Sequence, residues 1–210
     1  MPRLDRIVLS GKHVHLEPLT QEHAEPLVRA ANASRATFGL TQVPDSRESM
    51  QAYIETLLAE ETRGESLPFV VRDARDGRGD VVGATRFLSI EWWKWGAHAA
   101  PSPVPAGPDV LEVGGTWYAE RVQRTAINTE AKLLLCAHAF ETLRVRRVMW
   151  KTDARNTRSR TAIARLGAKF DGILRAHRAG FDGAVRDSAY YSMLAGEWPD
   201  AKVALRARLG

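Results

Sequence analysis

Residues 110 to 167 constrain this chain more than any other stretch, because two hydrophobic periods alternate along them. "VLEVGGTWYA" (110 to 119) has the β-branched and aromatic make-up of a strand. After a turn, Leu133, Cys136, Phe140 and Leu143 recur at spacings of three and four. That predicts a long helix from Thr129 to about Leu143 with these four on its buried stripe. "RRVMWKTDA" then reads as a strand. "NTRSRTAIARLGA" reads as a shorter helix, with Asn156 as a good N-cap and Gly167 just past its end. A chain that passes from strand to helix twice in this way is of the α/β class.

The flanks agree. "HVHLEPL" (13 to 19) alternates like a strand, and Thr20 caps a helical stretch with Ala24, Leu27, Val28 and Ala31 on one face. Ser46 opens a second helix carrying Met50, Tyr53, Ile54, Leu57 and Leu58. "LPFVVRDARDGRGDVVGATRFLSIEW" is a hairpin whose polar turn, Asp73 to Asp80, contains "DGRG". Two last strands, around 170 to 179 and 185 to 194, are joined by "GFDG". The order β, α, α, β, β, β, α, β, α, β, β makes a mixed sheet of about seven strands with about four helices. No internal repeat or second-domain boundary interrupts it, so residues 1–210 read as one domain with a Pro/Trp-rich insertion at about 91–109.

Composition narrows the class. Of the 210 residues, 44% are hydrophobic and 26% charged, the balance of a globular protein. No apolar run is long enough for a membrane span, and "MPRLDRIVLSGK" lacks a signal-peptide core, so no membrane association is expected. The single cysteine excludes an internal disulfide framework and suits a reducing, cytoplasmic setting. A formal charge of +5 fits an anionic partner. The arginines are dispersed among apolar residues, with no basic arm, so direct nucleic-acid binding is not expected. His13 and His15 lack a third ligand nearby, and no metal is expected.

The turn "VQRTAINTEAK" (122 to 132) is the first candidate site. A helix start has unpaired N–H groups and partial positive charge, which attract phosphate. Thr125, Ala126 and Asn128 are small or turn-compatible, Thr129 can cap, and Arg124 adds a contact that can be bidentate to a pyrophosphate. Most such helix starts are only caps, so a second feature is needed.

That feature is the combination of "GTWYAERVQRTAINTEAKLLL" with "TDARNTRSRTAIARLGAKFDGILR". With it, the chain resembles the GCN5-related N-acetyltransferases (GNAT), specifically their RimJ/RimL-like ribosomal-protein branch, from "VHLEPLTQEHAEPL" to "DSAYYSML". The resemblance implies a mostly antiparallel GNAT sheet, acetyl-CoA as cosubstrate and an amine acceptor. It also implies transfer by direct attack in a ternary complex. In the family this turn reads Gln or Arg-x-x-Gly-x-Gly or Ala, and its amides hold the pyrophosphate. Here Gln123 stands first, with Arg124 and Ala126 where glycines often sit. Because Arg124 tolerates positive φ poorly, a differently shaped loop is expected, with Asn128 taking part.

The chemistry is assigned on the same basis. Glu112, the carboxylate of "VLEVGGTWYA", is the candidate base, and its bland reading is a surface residue. The backbone from Gly115 through Trp117 to Tyr118 is expected to splay and donate to the thioester carbonyl. The tyrosine acid of many relatives is replaced by Ile163, so Ser159 becomes the candidate proton donor and Asn156 the pantetheine contact. Both have ordinary helix-start readings. Trp92 and Trp93 in "EWWKW", with Tyr191 on the last strand, are candidates for the acceptor side. A homodimer through the sheet edge or the insertion is compatible with the sequence. Two other readings are a non-catalytic acyl-CoA-binding module on the same fold and a basic ribosome-associated protein.

Overall fold

The computed structural model describes residues 2–75, 77–96 and 107–210. The middle of the predicted insertion lies outside them. Eight strands form one sheet in the order β1-β2-β3-β4-β5-β6-β8-β7. They are β1 (Leu9–Ser10), β2 (Val14–Pro18), β3 (Ser66–Asp73), β4 (Val81–Glu91), β5 (Val110–Tyr118), β6 (Arg147–Asp153), β7 (Lys169–Ala179) and β8 (Val185–Leu194). All neighbours are antiparallel except β5 and β6. A parallel pair cannot be closed by a hairpin, and the helix between these two strands supplies the crossover.

The sheet is covered on both faces. One face carries α3 (Ala126–Ala137), α4 (Thr157–Ala164) and α5 (Trp198–Ala207), packed on Leu16, Phe69, Val71, Leu111, Val113 and Trp150. The other carries α1 (Ala24–Asn32) and α2 (Arg47–Thr62), packed on Val70, Ala84 and Trp117. Phe69 and Val71 point one way and Val70 the other. That two-sided burial explains why "LPFVV" is a continuous apolar run rather than an alternating one.

The sheet and helix pattern expected from the sequence is present, with two additions. β1 is two residues long, too short for any periodicity to reveal. α5 follows the last strand and buries Trp198, Ala201 and Leu205. The Trp198 ring stacks on Phe140 at 5.5 Å, and its indole N–H donates to Glu141 at 2.6 Å.

The long helix starts three residues earlier than expected. Thr125, not Thr129, is the N-cap of α3, which ends at Ala137 and passes into a wide π turn over His138–Thr142. Its buried stripe is Ile127, Ala131, Leu135 and Ala139, flanked by Lys132, Cys136 and Phe140. Leu133 and Leu143 are only half-buried, a correction to the predicted stripe. The helix lies against a wide sheet, so its buried face is broader than one three-four row. Gly167 ends the α4 segment at φ +93°, as its position after the helix predicts.

Candidate functional site

β5 and β6 stay paired over only three residues, Val110 to Glu112 against Arg147 to Met149. Beyond them β5 bulges. Ala84 on β4 pairs with Trp117 and Arg86 with Gly114, so Thr85 faces two residues of β5. Gly115 sits in the bulge at φ +58°, which a side chain would strain. The bulge carries β5 away from β6 and leaves a notch between their C-terminal halves. Two helix starts follow those strand ends: the turn into α3 and the Asn156 cap of α4.

In the first of these turns Arg124 has φ +60°. The expectation of a differently shaped loop is therefore corrected: the arginine itself adopts the left-handed conformation that glycine takes more easily. Its cost, about 1 kcal/mol, is met by local bonds. The Thr125 hydroxyl donates to Val122 O at 2.7 Å, and the Gln123 amide donates to Tyr118 O and Thr37 Oγ1, both at 2.9 Å. Arg158 of α4 donates at 2.7 Å to the carbonyl oxygen of Thr37, the residue whose hydroxyl accepts from Gln123. Among the described residues no carbonyl accepts from the N–H groups of Arg124, Thr125 or Ala126. A left-handed residue followed by free amides at a helix start is an anion cradle. The Arg124 side chain is exposed and, among the described residues, forms no ion pair. Asn128 and Thr129 lie inside the first turn of α3, so Asn128 does not shape the loop.

Trp117 and Tyr118 are both buried, with side chains on opposite faces of the sheet. Trp117 meets Phe38 edge-on at 5.9 Å, and the Tyr118 hydroxyl is buried with no hydrogen-bond partner among the described residues. At the other strand end the Asn156 side-chain oxygen, Oδ1, accepts from Ser159 N at 2.9 Å. The Asn156 side-chain nitrogen, Nδ2, makes no hydrogen bond among the described residues, whereas its backbone N–H donates to Asp153 O at 2.9 Å. Ser159 is half-buried with its hydroxyl likewise unengaged among the described residues.

Glu112 stands at the last position of β5 that pairs with β6 and is 2% exposed. The surface reading is therefore excluded. Its Oε2 accepts from Ser89 Oγ at 3.0 Å and lies 2.8 Å from Lys151 Nζ on β6. Lys151 was missed in the sequence, although alternation in "RVMWKTD" already sets it opposite Val148 and Trp150. No hydrogen bond joins Glu112 to Ser159 among the described residues, so any acid and base roles for them act on different atoms.

The aromatic candidates separate. Trp93 N donates to Asp109 Oδ2 at 2.8 Å, and Trp95 Nε1 to Asp109 Oδ1 at 3.3 Å. Arg146 also binds Asp109, at 3.0 Å, and lies over the Trp95 ring at 4.8 Å. Asp109 thus knots the two ends of the insertion. Trp92 is half-buried, its indole nitrogen buried without a partner among the described residues. Tyr191 faces α4 instead, where Arg160 Nε donates to its hydroxyl at 3.1 Å and Phe170 packs on its ring. Strand alternation leaves Tyr190, not Tyr191, on the Glu112 face.

A notch between diverging parallel strands, with free helix-start amides at its open end and a buried carboxylate where it closes, defines a class. It is that of α/β proteins holding a phosphate-bearing cosubstrate across carboxyl strand ends. Residues 13–169 match the Acetyltransferase (GNAT) domain, and the chain belongs to this family of N-acetyltransferases. Domains of this family use acetyl-CoA, and the free amides and unengaged Asn156 nitrogen fit its phosphates and its amide-bearing arm.

Solved structures agree. A GCN5-related N-acetyltransferase from Brucella melitensis is 29% identical, with 100% of this chain and 88% of that one covered and a TM-score of 0.82. Mycobacterium smegmatis RimJ, solved in complex with CoA-disulfide, is 22% identical over 97% and 93% of the chains, with a TM-score of 0.76. The ribosomal-protein-S5-alanine acetyltransferase of Vibrio fischeri is 16% identical over 91% and 98%, with a TM-score of 0.69. The last two are likenesses of fold. None of the curated proteins compared with the chain matches it. No helix among the described residues is long and apolar enough to cross a membrane.

Proposed function

We propose that the chain transfers the acetyl group of acetyl-CoA to a primary amine by direct attack in a ternary complex. The observation that carries this is the notch itself: anion-ready amides at residues 124 to 126 and a buried Glu112 held by Ser89 and Lys151 lie at its two ends. The amides and the Arg124 guanidinium hold the pyrophosphate, Gln123 fixes their loop, and Asn156 donates to the pantetheine arm. Backbone N–H groups of β5 past Glu112 have no β6 partner and stabilise the oxygen that gains charge as the amine attacks. Glu112 takes the amine proton, directly or through a water. The departing thiolate is protonated by Ser159 or by solvent.

The fold likeness to RimJ and to the ribosomal-protein acetyltransferase supports a protein N-terminus as one acceptor class, beside amino acids and small amines. The test is release of free thiol from acetyl-CoA against a panel of N-terminal peptides and small amines. Double-reciprocal plots should intersect, as a ternary complex requires. Tight CoA binding with no thiol release on any acceptor would instead support a non-catalytic acyl-CoA-binding module.

A further inference from the structure

Glu112, Lys151 and Tyr190 share one face of the sheet, opposite Leu111 and Val113. Glu112 is in register with Met149 and Lys151 with Tyr190, and the Lys151 ammonium meets the Glu112 carboxylate there. Alternation carries this face along β8 to Ser188 and Arg186. α1 and α2 pack on β4 and β3, so they cover only the other half of it.

Arg186 is unusual on this surface. The residue is 8% exposed, yet among the described residues no carboxylate pairs with it. Its Nε donates to Ser188 Oγ at 3.0 Å, folding the side chain back along β8 toward Tyr190. Ser188 is fully buried and fixed by His177 Nδ1 at 2.9 Å, whose Nε2 in turn meets the Tyr190 hydroxyl at 3.3 Å. Directly across the ladder Arg186 faces Arg178, a second cation.

Burial, and then Arg178, depress the Arg186 guanidinium below its ordinary range, while Asp153, Glu112 and Tyr190 act the other way. Neither acid is free to compensate it. Asp153 is held by Arg155 through contacts of 3.0 and 2.7 Å, and Glu112 by Lys151. Two like charges opposite each other on neighbouring strands repel, and a desolvated guanidinium without a counter-ion is costly. A bound carboxylate removes both penalties and matches the planar fork of arginine.

We propose that the acceptor amine carries a carboxylate, which Arg186 receives with Arg178 beside it while the amino group meets Glu112. This rests on the amine-acetylation reading above. The carboxylate is either the main-chain group of a free amino acid or the acidic side chain next to a peptide N-terminus.

Two matched probe pairs distinguish these sources: alanine against alaninamide, and Ala-Asp amide against Ala-Asn amide. Each is titrated into the CoA-loaded protein by calorimetry and assayed with acetyl-CoA. The carboxylate member of at least one pair should bind about tenfold or more tightly than its amide. Arg186→Gln should abolish that preference without changing the Kd of CoA, and Arg186→Lys should keep it in weakened form, with melting curves confirming that both variants fold. If neither pair discriminates, or if Arg186→Gln still discriminates, the proposal is overturned. Carboxylate-selective binding without acetyl transfer would support the anion site and sink the transferase reading. Transfer without carboxylate preference would do the reverse.

Discussion

Lys151 Nζ lies 2.8 Å from Glu112 Oε2 in a pair whose side chains are 17% and 3% exposed. The pair spans β5 and β6 where these strands are about to part, so one ionic contact closes the notch and also holds the candidate base. Breaking one side of a buried pair costs about 3–5 kcal/mol, because the remaining charge is stranded.

Glu112→Gln is expected to lower kcat by about 10²-fold or more and to leave the Kd of CoA unchanged. It should also lower the melting temperature. Adding Lys151→Met to it should restore stability but not turnover. An unaltered kcat in the single variant removes Glu112 from proton transfer.

Arg124 combines a strained backbone with a free charge, and two substitutions separate them. Arg124→Gly should stabilise the fold by about 1 kcal/mol, whereas Arg124→Ala should not. Both should weaken CoA by about tenfold through loss of the guanidinium. Calorimetry showing the same Kd as the unmodified protein in both variants would assign the phosphate contact to the amides alone.

Lys132 is 4% exposed, with its ammonium on Thr116 Oγ1 at 2.6 Å and Thr85 Oγ1 at 3.1 Å and no acid beside it among the described residues. Burial pushes it down to about 7 from 10.5. Between those values the unfolded chain holds a proton that the folded chain has released, so this group makes stability rise with pH across that window. Below it both states are protonated and the penalty is constant. Lys132→Met should add about 1–3 kcal/mol at neutral pH and remove that slope. The two threonines still bond each other at 2.8 Å. Denaturant melts at pH 6.5 and 9.5 read the difference, and equal slopes in both proteins would refute it.

Glu130 stands in α3 but serves the turn between β1 and β2 and the first residue of β2. Its carboxylate accepts from the N–H groups of Lys12, His13 and Val14 at 3.0, 2.6 and 2.9 Å. Glu130→Ala leaves three N–H groups short of a partner and should cost about 3 kcal/mol or more. The denaturation midpoint should fall with little change in slope.

The sequence by itself determined the succession of elements, because periods of two and of three to four are local and survive in one dimension. Ser46 and Asn156 as caps, Gly167 as a helix terminator and the 66-to-91 hairpin were all legible for that reason. The turn before the long helix was legible as a turn, but its N-cap is Thr125 and not Thr129, and Arg124 takes the left-handed conformation the sequence argued against. Tertiary structure decided what the charged residues do. Lys132 and Glu130 look like the polar face of a helix and are buried, because their partners come from other elements, strands β4 and β5 for Lys132 and the β1–β2 turn for Glu130. Glu112 reads equally as surface or site until β6 brings Lys151 against it. Arg186 is an ordinary charge in an alternating strand until the folded sheet buries it opposite Arg178 with no carboxylate paired to it among the described residues. Local spacing is encoded by adjacent residues, whereas desolvation and charge pairing depend on which strands become neighbours, and only the folded sheet settles that.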